Sequence, residues 1–221
     1  MDFTKARFNM VEQQIRPWDV LDFDVLDALE ELPREVFVSQ EQQGYAYADI
    51  ALPLPNGSYM LEPKIVARMV QGLKLTASDR VLEIGTGSGY ATALMAKLAA
   101  DVVSCDIDEQ QSNAAQAVLN SLNINNIRYE IIDGLKNPVS DKPFNAIYVG
   151  GSVPDVPEIL KSQLVDGGRL VVVVGSEPVQ RCLQITRNGD EFEQITLFDT
   201  VIAPLEQGRP NWLKATGKFT F

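Results

Sequence analysis

Val81-Leu82-Glu83-Ile84-Gly85-Thr86-Gly87-Ser88-Gly89-Tyr90 decides how this chain is read. An apolar strand runs into three alternating glycines, and a segment with helical spacing follows. Glycines so placed let the backbone turn sharply and bring bare amides against a ligand, while the next helix's N-terminus adds partial positive charge. The layout predicts a nucleotide-like ligand. A dinucleotide fingerprint needs Gly-x-Gly-x-x-Gly, and here the third glycine arrives one residue early, without the second spacer of a pyrophosphate turn. Glu83, two positions before the first glycine, can hold the loop amides or face a cationic ligand, and it would repel a pyrophosphate.

Composition narrows the setting. The chain has 221 residues, 45% of them hydrophobic, enough for a real core in one large domain or a domain with an added lobe. Nineteen basic residues against 30 acidic ones give a formal net charge of -11, which disfavours nucleic acid and anionic membranes as partners. No apolar run approaches the roughly 20 residues of a membrane span, and the N-terminus lacks the apolar core of a signal peptide, so the expected location is the cytoplasm. Cys105 and Cys182 lie far apart, and the chain has no histidine. That argues against a disulfide framework, a zinc site and His-dependent nucleophilic catalysis, and no metal is expected. Cys105, in an apolar run, reads as core.

Along the chain, Met10 to Phe37 shows helical spacing interrupted by Pro17 and Pro33, and predicts two short helices. Residues 45–62, rich in Pro, Gly, Asn and aromatics, read as a loop or short hairpin beside the ligand site. Pro63 to Leu75 is helical, with Pro63 as its first residue. Strands are then expected at Arg80–Ile84, Val102–Asp106, Ile127–Ile132, Asn145–Val149 and Gly168–Gly175, with helices at Tyr90–Ala99, Glu109–Leu122 and Val156–Leu164. The alternation predicts an α/β fold with a doubly wound, mainly parallel sheet. Val179–Thr186 and Phe192–Ala203 read as an antiparallel edge hairpin about the turn at 187–190, with a further strand at Lys218–Phe221. The expected division is an N-terminal helical lobe with an acceptor-site loop over 1–75, packed on a ligand-binding domain with C-terminal strands over 76–221.

In such a sheet the ligand lies beyond the C-terminal ends of the strands. After the first strand come Gly85, Thr86, Gly87, Ser88 and Gly89. After the second comes Asp106, about 20 residues beyond the glycines, where a carboxylate reaches a ribose diol; Ile107 follows, and Asp108 competes for the same role. After the third come Ile132, Asp133 and Gly134: the carboxylate could accept from an adenine amine while Ile132 packs on the ring. After the fourth comes the small-residue loop beginning at Gly150. Each has an ordinary reading: Gly-Ser-Gly as a turn, Asp106 as a helix N-cap, Asp133-Gly134 as a plain turn. Trp18 and Trp212 read as packing residues, and Glu30, Glu31 and Glu41 as a solvated face.

Taken together, Glu83, the glycines, Asp106 and Asp133 resemble the motifs of class I S-adenosyl-L-methionine (SAM) methyltransferases, with their Rossmann-like sheet. Over nearly its whole length the chain further resembles the protein-L-isoaspartate (D-aspartate) O-methyltransferase family. The resemblance rests on residues 81–90 together with 10–16, Leu32-Pro33-Arg34-Glu35-Val36-Phe37-Val38, 47–54, 143–150 and 163–171. It implies a SAM-dependent enzyme, with S-adenosyl-L-homocysteine as product. The implied reaction methylates the abnormal side-chain carboxylate of isoaspartyl residues in damaged proteins; the ester then cyclises to a succinimide, which can hydrolyse to normal aspartate. A carboxylate acceptor, with a pKa of about 4, needs no general base. The room around Gly150 would admit the methyl group and its acceptor. Members usually carry Thr-Ile-Ser-x-Pro, with the serine implicated in the active site; this chain reads Tyr59-Met60-Leu61-Glu62-Pro63, so Leu61 stands at the serine. The family's Phe-Val-Pro-Leu-x-Gly becomes Ile202-Ala203-Pro204-Leu205-Glu206-Gln207-Gly208. A peptide acceptor would be held by main-chain bonds along 45–62 and 202–210. A different peptide or small-molecule acceptor, or a SAM-binding regulatory module, are the alternatives, and the choice between monomer and homodimer stays open.

Overall fold

A computed structural model describes residues 2–205; the expected strand at 218–221, Trp212 and the segment from Glu206 onward lie outside them. The chain opens with helix α1 (Phe3–Met10), whose first turn is capped by the Asp2 carboxylate accepting from the Lys5 amide at 3.0 Å. The winding continues through a π turn at Val11–Ile15 and a 3-10 turn at Arg16–Trp18, so the first helical unit starts earlier than its spacing suggested. Helix α2 (Phe23–Glu31) is capped by Asp22, and a 3-10 turn at Arg34–Phe37 completes the lobe. Residues 45–62 hold a minimal hairpin, β1 (Leu52–Pro53) and β2 (Tyr59–Met60), with Leu52 opposite Met60. Helix α3 (Pro63–Leu73) begins on its proline, which needs no N–H there, and ends where Lys74 adopts φ 50°.

Five elements then alternate as expected: β3 (Arg80–Ile84), α4 (Tyr90–Leu98), β4 (Asp101–Asp106), α5 (Glu109–Ser121) and β5 (Ile127–Ile131). They are followed by β6 (Phe144–Val153), α6 (Glu158–Ser162), β7 (Leu164–Ser176), β8 (Val179–Asn188) and β9 (Glu191–Thr200). Several boundaries depart from the sequence reading, and two of them concern β6 and α6. Helix α6 is one short turn, because Leu164 already pairs with Phe144. The small-residue segment expected as a loop is instead the end of β6: Gly150 to Val153 stay extended past a register shift, Ser152 lying beside Val173.

The large sheet runs β5-β4-β3-β6-β7-β8-β9. Pairs among β3 to β7 are parallel, and β8 and β9 add an antiparallel hairpin whose turn is Gly189-Asp190, with Gly189 at φ 62°. Side chains alternate between two cores: Val81, Val171 and Val173 face the layer holding the lobe, α3 and α4, while Leu82, Ile84, Leu170 and Val172 face the layer with α6. Burial on both faces is why these strands read as continuous apolar runs. The chain proceeds from β3 outward to β5, then returns to lay β6 on the other side of β3. That reversal opens a crevice at the strand ends.

Candidate active site

A cleft of about 840 Å3 occupies the crevice. Its floor is the glycine loop, the end of β4 and the turn after β5; its rim is formed by Asn56, Ser58, Tyr59 and Leu61 on one side and by Ala203, Pro204 and Leu205 on the other.

The loop has its shape because of its glycines. Gly85, Gly87 and Gly89 all sit at positive φ, 89°, 51° and 83°, where a side chain strains the backbone. Gly150 lets β6 close against the loop: a Cβ there would lie 2.8 Å from the Gly85 carbonyl oxygen. The expectation of bare amides is not met. The Gly85 N–H donates to the Cys105 carbonyl at 2.8 Å, that of Gly87 to the Asp106 carboxylate at 3.2 Å, and that of Gly89 to the Thr86 carbonyl at 2.9 Å. The three glycine amides are spent within the protein, so the loop offers close backbone approach rather than a phosphate cradle.

Nine of the residues anticipated at the strand ends line the cleft: Gly85, Gly87, Asp106, Ile107, Asp108, Ile132, Asp133, Gly134 and Gly150. Asp106 accepts from the Asp108 amide at 2.9 Å as well as from Gly87. Asp108 is the N-cap of α5, accepting from the Gln110 and Gln111 amides, and also accepts from the Asn56 side chain at 3.1 Å. The capping role weighed for Asp106 therefore belongs to Asp108. Asp133 accepts from the Leu135 amide and pairs with Lys136 at 2.8 Å. Gly134 is needed for packing, since a Cβ would come within 2.7 Å of Cys105 and Ile84.

Thr86, Ser88, Gly89 and Glu83 do not line the cleft. Gly89 packs on α5, its Cβ position 3.1 Å from Ala115 and Leu119, and the Ser88 hydroxyl accepts from the Tyr90 amide. Glu83 lies beneath the loop, 1% exposed, and one carboxyl oxygen accepts from Ser104 and Thr92, each at 2.5 Å. Ser104 in turn lies 2.7 Å from the Thr86 hydroxyl. Glu83 thus neither holds loop amides nor faces the cleft; it ties β3, β4, α4 and the loop together. Burial pushes its carboxyl up to about 8 against the two hydroxyl bonds, with the Asp106 charge raising it further. Burial and the nearby Glu83 and Asp106 charges likewise push the Cys105 thiol up to about 12, which keeps it protonated although it lines the cleft.

The rim falls in the two segments, 45–62 and 202–210, where the acceptor was expected, but the contacts that hold it there were not anticipated. Leu54 packs over Gly87, 3.7 Å from its Cβ position. Residues 202–205 are strapped to β6: the Ser152 amide donates to the Ala203 carbonyl at 3.0 Å, the Leu205 amide to the Ser152 carbonyl at 2.8 Å, and the buried Gln180 side chain bonds both Ser152 and the Ile202 amide. Gly151 was the available signal, since a Cβ there would lie 2.8 Å from the Leu205 nitrogen. Leu61 lines the rim, whereas Glu62 does not.

Comparison with known proteins bears on the sequence and the fold. The family model for protein-L-isoaspartate(D-aspartate) O-methyltransferase covers residues 6–209. A protein-L-isoaspartate O-methyltransferase of Roseiflexus castenholzii is 39% identical over 208 residues, 94% of this chain and 95% of that protein. One from Desulfotalea psychrophila is 40% identical over 191 residues, 86% and 89% of the two chains. A solved protein-L-isoaspartate O-methyltransferase, 25% identical, superposes with a TM-score of 0.78 over 95% of this chain and 68% of its own. A crystal structure from Plasmodium falciparum, described as a protein of the same name in complex with S-adenosyl-L-homocysteine, shares the fold at a TM-score of 0.78 and 20% identity, covering 94% of this chain and 100% of that one. A family match over residues 6–209, relatives near 40% identity and a shared fold converge: this chain belongs to the protein-L-isoaspartate(D-aspartate) O-methyltransferase family.

Proposed function

We infer that the protein is a SAM-dependent protein-L-isoaspartate O-methyltransferase that esterifies the side-chain carboxylate of isoaspartyl residues in damaged proteins. Family membership over residues 6–209 carries the reaction, and one observation in the site carries the cofactor. The cleft is lined by Asp106, Asp108, Glu109 and Asp133, with no lysine or arginine among its lining residues. An acidic cleft suits a ligand bearing a sulfonium and an ammonium, and opposes a pyrophosphate. Its volume falls within the roughly 300–1,000 Å3 of small-molecule sites.

When bound, SAM supplies an activated methyl group on a positively charged sulfur. Asp106, at the end of β4, would hold the ribose, with Asp108, the cap of α5, as the alternative beside it. Asp133 and Ile132 would meet the adenine, and Gly85, Gly87 and Gly150 would allow the ligand to approach the backbone. The protein's remaining task is alignment: the Tyr59 and Leu61 edge and the strap at 203–205 narrow the opening through which an acceptor reaches the floor. No residue is needed as a general base, because an ordinary carboxylate is already ionised at neutral pH. This accords with a chain that has no histidine. The net charge of -11 favours a peptide over a nucleic-acid acceptor. A cytoplasmic site of action goes with this reading, supported by two free, buried cysteines; no helix among the described residues is long and apolar enough to cross a membrane.

The test is transfer of tritiated methyl from SAM to an isoaspartyl peptide, with the aspartyl peptide as control. Base-labile label on the isoaspartyl peptide alone is the expected result. SAM binding by calorimetry with neither peptide labelled would shift the acceptor to another class.

A further inference from the structure

Among the described residues Arg34 is the only buried lysine or arginine, at 0% exposure. A buried guanidinium ordinarily meets a carboxylate. Here its hydrogen bonds go to main-chain carbonyls: Nε donates to Ala46 at 2.9 Å and Nη2 to Leu61 at 2.7 Å. Its central carbon lies 4.5 Å above the Tyr90 ring, and Nη1 has no hydrogen-bond partner among the described residues. Burial lowers its pKa, opposed by Tyr90, by Glu62 at the start of α3, and by Tyr47, whose hydroxyl donates to Glu35. Such a placement is costly, and two hydrogen bonds to neutral carbonyls do not explain it as simple core filling.

What those bonds join is informative. Arg34 belongs to the lobe, Ala46 to the segment entering the rim, and Leu61 to the rim itself, one residue past β2 and facing the cleft. Tyr90 is the first residue of α4, directly after the glycine loop. One side chain therefore fixes the spacing between the acceptor edge and the end of the cofactor loop. We infer that Arg34 is a positioning residue for methyl transfer: it sets the backbone at Leu61, and with it the side chain presented to the acceptor, relative to the start of α4. The inference rests on the function proposed above.

Arg34→Lys keeps a charge but loses the fork that reaches two carbonyls at once. Arg34→Gln keeps an N–H donor without the buried charge. In either variant the KM for an isoaspartyl peptide rises about tenfold, the scale of one lost charge-assisted bond, while the SAM Kd measured by calorimetry stays within about twofold. Hydrogen exchange quickens at Tyr59 and Met60 and is unchanged along β3. An unchanged acceptor KM overturns the inference, as does a SAM Kd that moves by the same factor as KM, or exchange that quickens throughout the sheet. Failure of both variants to fold also overturns it, by making Arg34 part of the general core. A wild type that binds SAM but leaves the isoaspartyl peptide unlabelled defeats the proposed acceptor instead; the exchange experiment still reads Arg34 without any acceptor.

Discussion

The floor of the cleft and its rim are built by different means. The floor is local: the glycine loop joins consecutive elements, its bends come from glycines at positive φ, and its acidic residues follow directly on strand ends. The rim is assembled from afar. Arg34 reaches Leu61, Asn56 reaches Asp108, and Gln180 reaches Ile202. The floor is held chiefly by backbone conformation and main-chain donors and contacts, as at Gly85, Gly87 and Gly150, whereas the rim depends on side chains that reach into other segments. The resemblance drawn from the sequence divides along the same line, carried in the floor by residues 81–90 and departed from in the rim at Leu61.

The sharpest way to test the floor is through Glu83. Its carboxyl binds a proton more tightly in the folded protein than in the unfolded chain, so this contribution to stability is full below about 4.5 and is lost as the pH rises through about 8. Glu83→Gln should remove that part of the slope, a change on the order of a few kcal/mol across the window. Urea melts from pH 4.5 to 8.5 would show it, and a slope identical in both proteins would mean that Glu83 is not protonated in its hydroxyl cage. Next in size, Asp106→Ala should weaken SAM binding by roughly 1.5–3 kcal/mol through loss of a charge-assisted bond. Calorimetry measures this; unchanged affinity would transfer the ribose to Asp108 or another group. Gly150→Ala drives a Cβ against main-chain oxygens of β3 and Gly85 rather than against a yielding side chain. It should cost about 1–3 kcal/mol of stability, read as a lowered urea midpoint, and SAM affinity should fall with it.

The rim predicts smaller effects, confined to the acceptor. Ser152→Ala removes the hydroxyl that donates to the Ile202 carbonyl and accepts from Gln180. It should cost about 1 kcal/mol and raise the acceptor KM with little change in SAM Kd. If SAM affinity falls equally, the strap belongs to the cofactor site and the division between floor and rim fails. The smallest effect is expected for Asn56→Ala, at an exposed bond to Asp108. It should alter SAM Kd by about threefold or less, measured by the same titration.

What could be read in advance follows the same division. The alternation of elements and the edge hairpin were legible because apolar runs and glycine punctuation are local signals. Asp108 as the helix cap and Glu83 beneath the loop were not, because a carboxylate near a motif can turn either way and its direction is decided by hydroxyls on other strands. The extended Gly150 to Val153 read as a loop because small residues carry no strand signal; pairing with β7 and with the strap holds them in place. Lobe boundaries slipped because Asp2 and a π turn extend the first helical unit.

By itself, the sequence determined the sheet, its order of helices and strands, the glycine loop and the family, since each rests on residues near one another in the chain. Only the tertiary structure decided which carboxylates face the cleft, that the three glycine amides are spent internally, that Arg34 bonds the Leu61 carbonyl, and that residues 202–205 are strapped to β6. Those outcomes depend on contacts between residues up to about 50 positions apart, such as Ser152 with Ile202. Burial and packing select them, and no local pattern encodes them.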